Sequence, residues 1–302
     1  MPRLAQLAPL VAASCLLLSA CSNTPASDGR VRVVATIAPV GALVQAVAGD
    51  AIRLDILVKP GVDPHGYELK ATDARAVADA DLILRNGLGV DAFLDKALKS
   101  NKGAVVTVTD GLPLREASPE EGQKGASKDP HVWHDPRNDI AMVDTIVKAL
   151  STAAPDHAAT FATNGKAYQE RLRATDVEVQ AIIETIPAAN RKMVTDHDAL
   201  GYFAARYGIT IVGTVIPSVS TAAEPSAADI AALVQTIRRE GVRAIFAESS
   251  VDPKVARRVA EETKVTIIDD LFGDSLGDKA SGADTVEGML LTNARKIADA
   301  LK

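Results

Sequence analysis

The chain has 302 residues, enough for one large or two ordinary domains that each bury a core. With 47% hydrophobic and 24% charged residues, few aromatics and a formal net charge of -6, it has a globular composition and no basic footprint for nucleic acid. No nucleic-acid partner is expected.

The first 20 residues read as an export signal. Residues 4–18 are apolar, too short for a comfortable membrane span, and followed by small residues, which is the pattern of a secretory signal peptide. The segment ends in "LLLSAC", and Leu18-Ser19-Ala20-Cys21 resembles the lipobox of bacterial lipoproteins, which implies lipidation of Cys21. Both cysteines, Cys15 and Cys21, lie here. The mature chain therefore has neither a disulfide nor a thiolate metal site, and whatever it binds it binds through nitrogen and oxygen. Residues 21–30 are small and polar and read as a flexible tether.

Strands and helices then alternate. "VRVVATI" (31–37) is a predicted strand, "PVGALVQAVAGD" (39–50) a helix opened by Pro39, and "IRLDILV" (52–58) a strand. "TDARAVADA" (72–80) is a helix capped by Thr72, and "DLILRNG" (81–87) a strand. A helix near 90–99 and the strand "AVVTVTD" (104–110) follow. This rhythm of apolar strands and helices implies a parallel sheet covered on both faces. Residues 111–130 form a polar loop, after which Asp135 caps a helix with Pro136 at its first position. From about residue 156 to 186 a second helical pattern runs, interrupted only by Gly165 and stopped at Pro187. At 1.5 Å per residue it would span roughly 45 Å, so it is predicted to bridge two bodies. Strands at 192–196, 209–216, 243–248 and 264–269 then alternate with helices at 198–207, 226–239, 252–263 and 283–301. The expected architecture is α/β: an N-terminal lobe (31–154) and a C-terminal lobe (188–302), each a mostly parallel sheet covered by helices. One long rigid linking helix (155–187) joins them, and no internal repeat is visible at residue level.

Five histidines are available: His65, His131, His134, His157 and His197. Ligands of parallel α/β sheets collect at the carboxyl ends of the strands. His65, in "KPGVDPHGYEL", follows the strand ending near Val58; His131, in "DPHVWHDPRND", closes the loop after 104–110; His197 follows "MVTD" directly. Each alone could be a capping histidine, but three at equivalent topological places point to one site. His157 lies at the start of the long helix and is expected on the surface. Pro130 and Pro136 bracket His131 and His134, so that segment is expected to be extended, with the two side chains on opposite sides. His134 is accordingly predicted to face solvent. Three imidazoles and one carboxylate would suit zinc and accept manganese or ferrous iron. The carboxylate candidates are Asp269, Asp270 and Asp274 in "IIDDLFGDSLGDK" and Glu248 at a strand end; chemistry alone does not choose among them.

Six segments, "ATIAPVGALVQAVAGD", "PGVDPHGYEL", "DPHVWHDPRN", "DHDALGYFAARYG", "AIFAESSVDPKVARRVAEET" and "LFGDSLG", together resemble the metal-binding substrate-binding proteins of ABC transporters, the cluster A-I or cluster 9 group. The resemblance runs in order from about residue 31 to the end. It implies that His65, His131 and His197 are metal ligands and that Asp274 is the fourth, with Phe272 where the group usually has tyrosine. Glu248, in "ESS", takes a supporting role. Histidine at the position of His197 is commoner in zinc-binding members, whereas manganese-directed ones often carry glutamate there. The His-rich loop of many zinc members is matched by "REASPEEGQKGASKD", which has no histidine. The resemblance thus implies an extracytoplasmic, lipid-anchored, monomeric protein, not an enzyme. It would capture a divalent ion, most plausibly zinc, and hand it to an ABC permease driven by its ATPase. Small shifts of loops or lobes would release the ion, whose affinity would fall below about pH 6, where free histidine titrates. The rival from another class is a zinc metallohydrolase with Asp274 or Glu248 as general base; an adhesin role would rest on the anchor alone.

Overall fold

The computed structural model describes residues 29–117 and 128–302, so the signal segment, Cys21, most of the tether and the middle of the 115–129 loop lie outside the described residues. The first lobe comprises β1 (Arg32–Ile37), α1 (Ala38–Ala48), β2 (Arg53–Val58), α2 (Ala71–Asp79), β3 (Leu82–Arg85) and β4 (Ala104–Thr107). Its strands are parallel in the order β2-β1-β3-β4. The chain then runs through α3 (Pro136–Ala153) and α4 (Ala158–Glu184). The second lobe follows as β5 (Lys192–Thr195), α5 (Gly201–Tyr207), β6 (Thr210–Thr214), α6 (Ala227–Glu240), β7 (Ala244–Glu248), α7 (Lys254–Thr263), β8 (Thr266–Leu271) and α8 (Val286–Leu301). Its parallel order is β6-β5-β7-β8. The two lobes thus repeat one topology that no residue-level repeat announces. Among the described residues no helix is long and apolar enough to cross a membrane.

Alternation along the strands divides the apolar residues between faces. Val33 and Ala35 of β1 join one core that also contains Met193 and Phe246 of the second sheet, whereas Val34 packs with Leu57, Val77, Ile83 and Leu94 on the outer face. In the second lobe Val194 and Ile245 face Leu233 and Val259, from α6 and α7. Two outer clusters therefore flank a single core shared by both lobes.

Helix α4 belongs to that shared core. Its buried residues, Phe161, Gly165, Tyr168, Leu172, Thr175, Val179 and Ile183, recur every three or four positions and form one stripe. The stripe packs against α1 and α3 of the first lobe and α8 of the second. At 27 residues the helix spans about 40 Å, but it lies along both lobes and does not cross a gap between them. Polar contacts follow the same path: Asn164 Nδ2 donates to the Val47 carbonyl (3.0 Å), Tyr168 Oη to Glu287 (2.6 Å), and Tyr207 Oη to Asp176 (3.0 Å).

Several local expectations are corrected. Helix α2 is capped at Lys70 and not at Thr72, because Asp73 accepts the Lys70 N–H (2.8 Å) and the Tyr67 hydroxyl (2.7 Å). The helix expected near 90–99 is two 3-10 turns, Ala92–Leu94 and Ala97–Ser100. Gly87, Leu88 and Gly89 precede it with positive φ, and Asp91 is held by Thr36 Oγ1 (3.0 Å), the Gly87 N–H (3.0 Å) and Arg85 Nη2 (2.8 Å). Edge strand β4 is left partly uncovered, with Val105 43% exposed. Helix α5 starts at Gly201 and not at residue 198, since residues 196–200 turn His197 inward: Thr195 Oγ1 donates to the His197 carbonyl (2.7 Å).

The α3–α4 contact supplies a stability test. A Cβ at Gly165 would fall 2.5 Å from Cγ2 of Val147. Gly165→Leu is expected to destabilise the metal-free protein by about 1–3 kcal/mol despite leucine's better helix propensity, read from chemical denaturation.

Candidate metal centre

The loops at the carboxyl ends of β2, β4, β5 and β8 converge between the lobes, and they bring His65, His131, His197 and Asp274 together. Asp274 is central. Its Oδ2 lies 3.2 Å from Nε2 of both His65 and His197, and its Oδ1 lies 3.1 Å from Nε2 of His131. The His65 and His131 Nε2 atoms are 3.4 Å apart. Tetrahedral bonds of about 2.0–2.1 Å would put donor atoms roughly 3.3–3.4 Å apart, so this spacing fits one small ion inside the four. Both Asp274 oxygens and the His197 Nε2 are buried without a hydrogen-bond partner among the described residues. Buried polar atoms are normally satisfied, and an ion would satisfy these.

The supporting contacts fix which nitrogen faces inward. The Asp129 carboxylate accepts both the backbone N–H (3.0 Å) and the Nδ1 of His131 (2.9 Å). His197 Nδ1 lies 3.3 Å from both Asp196 Oδ1 and Glu248 Oε1. Each carboxylate leaves the opposite Nε2 turned toward Asp274 and raises its basicity. Glu248 Oε2 also accepts the Asp274 N–H (2.7 Å). Residue 273 must be glycine for this approach, because a Cβ there would lie 1.9 Å from Glu248 Oε1. Asp269 and Asp270 are elsewhere, paired with Arg257 and Lys296.

The electrostatics follow from burial. Burial alone would raise the Asp274 carboxyl, but the surrounding imidazoles of His197, His65 and His131 hold it well below the usual carboxylate range. Burial disfavours the charged form of His131, yet the Asp274 charge and the Asp129 hydrogen bond push it up to about 9. His197 is raised in the same way, by Asp274 and Glu248 against its burial. Glu248 itself is pushed well above the usual carboxylate range by burial and by the neighbouring Asp274 charge.

His134 does not face solvent. Residues Val132–His134 form a 3-10 turn, not an extended segment, and His134 is fully buried. Its Nε2 donates to the Gly273 carbonyl (3.0 Å), which also accepts from Trp133 Nε1 (2.9 Å). This first-lobe turn thus holds the second-lobe loop that carries Asp274. Burial and the neighbouring His131 lower His134 to about 3, so the ring is neutral. It stands outside the four-residue cluster. His157 is exposed. Asp129 and Asp196 were not singled out from the sequence, although each sits one or two residues before a selected histidine, a spacing that lets a short acid reach the following ring or its N–H.

The family profile described as "zinc-uptake complex component A periplasmic" matches residues 33–300. The chain is 33% identical over 315 residues to the metal ABC transporter substrate-binding lipoprotein SsaB of Streptococcus sanguinis, covering 100% of this chain and 99% of that protein. It is 32% identical over 283 residues to the manganese-binding lipoprotein MntA of Bacillus subtilis (strain 168), covering 91% of each. The structure of the periplasmic zinc-binding protein TroA of Treponema pallidum superposes with a TM-score of 0.83 at 33% identity, over 90% of this chain and 99% of that one.

His134→Ala is expected to lower the stability of the metal-free protein by about 1–3 kcal/mol through the lost buried hydrogen bond. Its effect on metal affinity should stay below that of removing any one of the four clustered side chains, since Trp133 still holds Gly273. Thermal melting and metal titration of the variant check both.

Proposed function

The chain belongs to the zinc-uptake complex component A periplasmic family, and from that premise we propose that it captures a divalent metal ion outside the cytoplasm and delivers it to an ABC permease and its ATPase. Its relatives are binding proteins of transport systems and not enzymes. Lipidation of Cys21 would anchor it to a membrane, with the 21–30 tether between lipid and lobe. The ion is bound by His65, His131, His197 and Asp274. Four protein donors leave no position for a reacting water, which is the character of a holding site. The observation that carries this reading is the pair of buried Asp274 oxygens that have no hydrogen-bond partner among the described residues and are ringed by three imidazole nitrogens.

Zinc is the ion that fits best. Imidazole-rich donor sets bind zinc more tightly than manganese or ferrous iron, and the donor spacing matches a tetrahedral zinc site. A second reading, manganese or iron(II), is favoured by one feature: both Asp274 oxygens point inward, so a bidentate grip would supply a fifth donor.

Titration of the mature protein with chelator-buffered zinc tests the proposal. His65→Ala, His131→Ala and His197→Ala are each expected to weaken binding by about 100-fold or more, in line with the loss of one direct ligand. Ordinary affinity in all three would end it. Competition between zinc and manganese decides between the two ions.

Proton coupling gives a second test. In the metal-free protein His131, raised to about 9, and His197, also raised, are protonated at pH 7. An incoming ion must displace those protons, so apparent affinity should keep rising as pH increases from 7 toward about 9, and fall as pH decreases. The window lies above the value near 6 expected from free histidine, because the buried carboxylates favour the protonated rings. Calorimetry in buffers of different ionisation enthalpy is expected to report release of about two protons per ion at pH 7.

A further inference from the structure

Asp63-Pro64-His65 and Asp129-Pro130-His131 are the same tripeptide, yet their aspartates are used differently. Asp129 spends one oxygen on both the N–H and the ring of its own histidine. Asp63 Oδ1 accepts the His65 N–H (2.8 Å), but Oδ2 accepts a hydrogen bond from Thr221 Oγ1 (2.6 Å), across the boundary between the lobes. Among the described residues no carboxylate holds His65 Nδ1, whereas the other two rings are held at that nitrogen. The orientation of His65 depends on its loop.

That loop is the least anchored part of the centre. Residues 59–69 contain no helix or strand. Of the four clustered side chains, that of His65 alone keeps solvent contact, 6% exposed against 0% for His131, His197 and Asp274. The loop touches the second lobe at two polar places. Gly61, at φ +79, donates its N–H to Ser275 Oγ (2.7 Å) and the Leu276 carbonyl (3.2 Å), and further along Asp63 meets Thr221. A cavity of about 710 Å³ is lined in part by Asp63, Asp196 and Thr221. A second, of about 270 Å³, is lined in part by Pro64, His65, Val219 and Ser220. Both spaces border loop 59–69 and the segment 219–221, so the loop has open space beside it once the contact is broken.

We propose that Thr221 is a positioning residue for ion retention: its hydroxyl, through Asp63, latches the His65 loop shut, and His65 is the last donor to engage and the first to leave. The proposal rests on the metal-capture reading of the same centre. The Gly61–Ser275 contact acts as the pivot, and the other three donors stay on packed supports. The ion passes between loop 59–69 and the segment carrying Val219 and Thr221.

The test is release of zinc from the loaded mature protein into excess chelator, followed by stopped flow. Thr221→Val, which keeps the side-chain shape and removes the hydroxyl, should accelerate release about tenfold or more, as expected for a lost hydrogen bond to a charged group. Thr221→Ser should restore the wild-type rate. The melting temperature of metal-free Thr221→Val should fall no further than that of metal-free His134→Ala, while only Thr221→Val accelerates release, a split that a general structural role would not give. Asp63→Ala should release faster still, and adding Thr221→Val to it should change nothing more, because both remove one interaction. A wild type that loads zinc, with Thr221→Val releasing at the wild-type rate or the double variant showing multiplied effects, overturns the latch alone. A wild type that loads none of zinc, manganese and iron(II) overturns the capture reading and the latch together, and one that loads only manganese or iron(II) is tested by release of that ion.

Discussion

The structure depends on one buried carboxylate set among three imidazoles. Asp274 is fully buried, and its two oxygens meet three imidazole nitrogens at 3.1–3.2 Å and nothing else among the described residues. An isolated buried carboxylate would protonate. This one stays charged because the histidines around it carry the compensating protons. With His131 and His197 each holding an extra proton, the two rings together carry the charge of one divalent ion. A divalent ion bound to neutral rings carries the same total. Exchange of two protons for one divalent ion therefore leaves the charge of the centre unchanged.

The donors come from two lobes, so the lobes must be held in register. The shared core, running from Val33 through the α4 stripe to Phe246, does this with apolar contact, and the Trp133 and His134 bonds to Gly273 do it with polar contact. Helix α4 packs along both bodies, so a wide hinge motion would expose core residues such as Leu172 and Ile183, at a hydrophobic cost of about 1.5–3 kcal/mol for each large side chain exposed. On the proposed reading, ion exchange falls to the loops at the strand ends. Among these the His65 loop has no regular structure and, among the described residues, no carboxylate at the ring Nδ1, whereas His131, His197 and Asp274 are each held by buried carboxylates.

Much of this was legible in the sequence, because parallel α/β folds put their loops in predictable places. The apolar strands at 31–37 and 81–87 and the helix capped by Asp135 could be read directly, and three histidines fell at strand ends. Asp274 could not be separated from Asp269, Asp270 and Glu248 by chemistry, because all four follow or end strands; only resemblance favoured it. His134 was misread because two flanking prolines argue for extended chain, while the tertiary hydrogen bond to Gly273 is invisible at that range. The helix expected near 90–99 failed for a similar reason: the left-handed residues 87–89 and the pairing of Asp91 with Thr36 override local propensity. The repeated strand order was hidden because topology can recur without recurring side chains.

Three imidazoles and one carboxylate around an ion would show in the ion's own coordination. X-ray absorption of the zinc-loaded protein should show nitrogen and oxygen neighbours at about 2.0–2.1 Å, no sulfur, and outer-shell scattering from three imidazole rings, reduced to two in His131→Ala. An oxygen-only shell, or a three-ring pattern unchanged in that variant, would contradict the account.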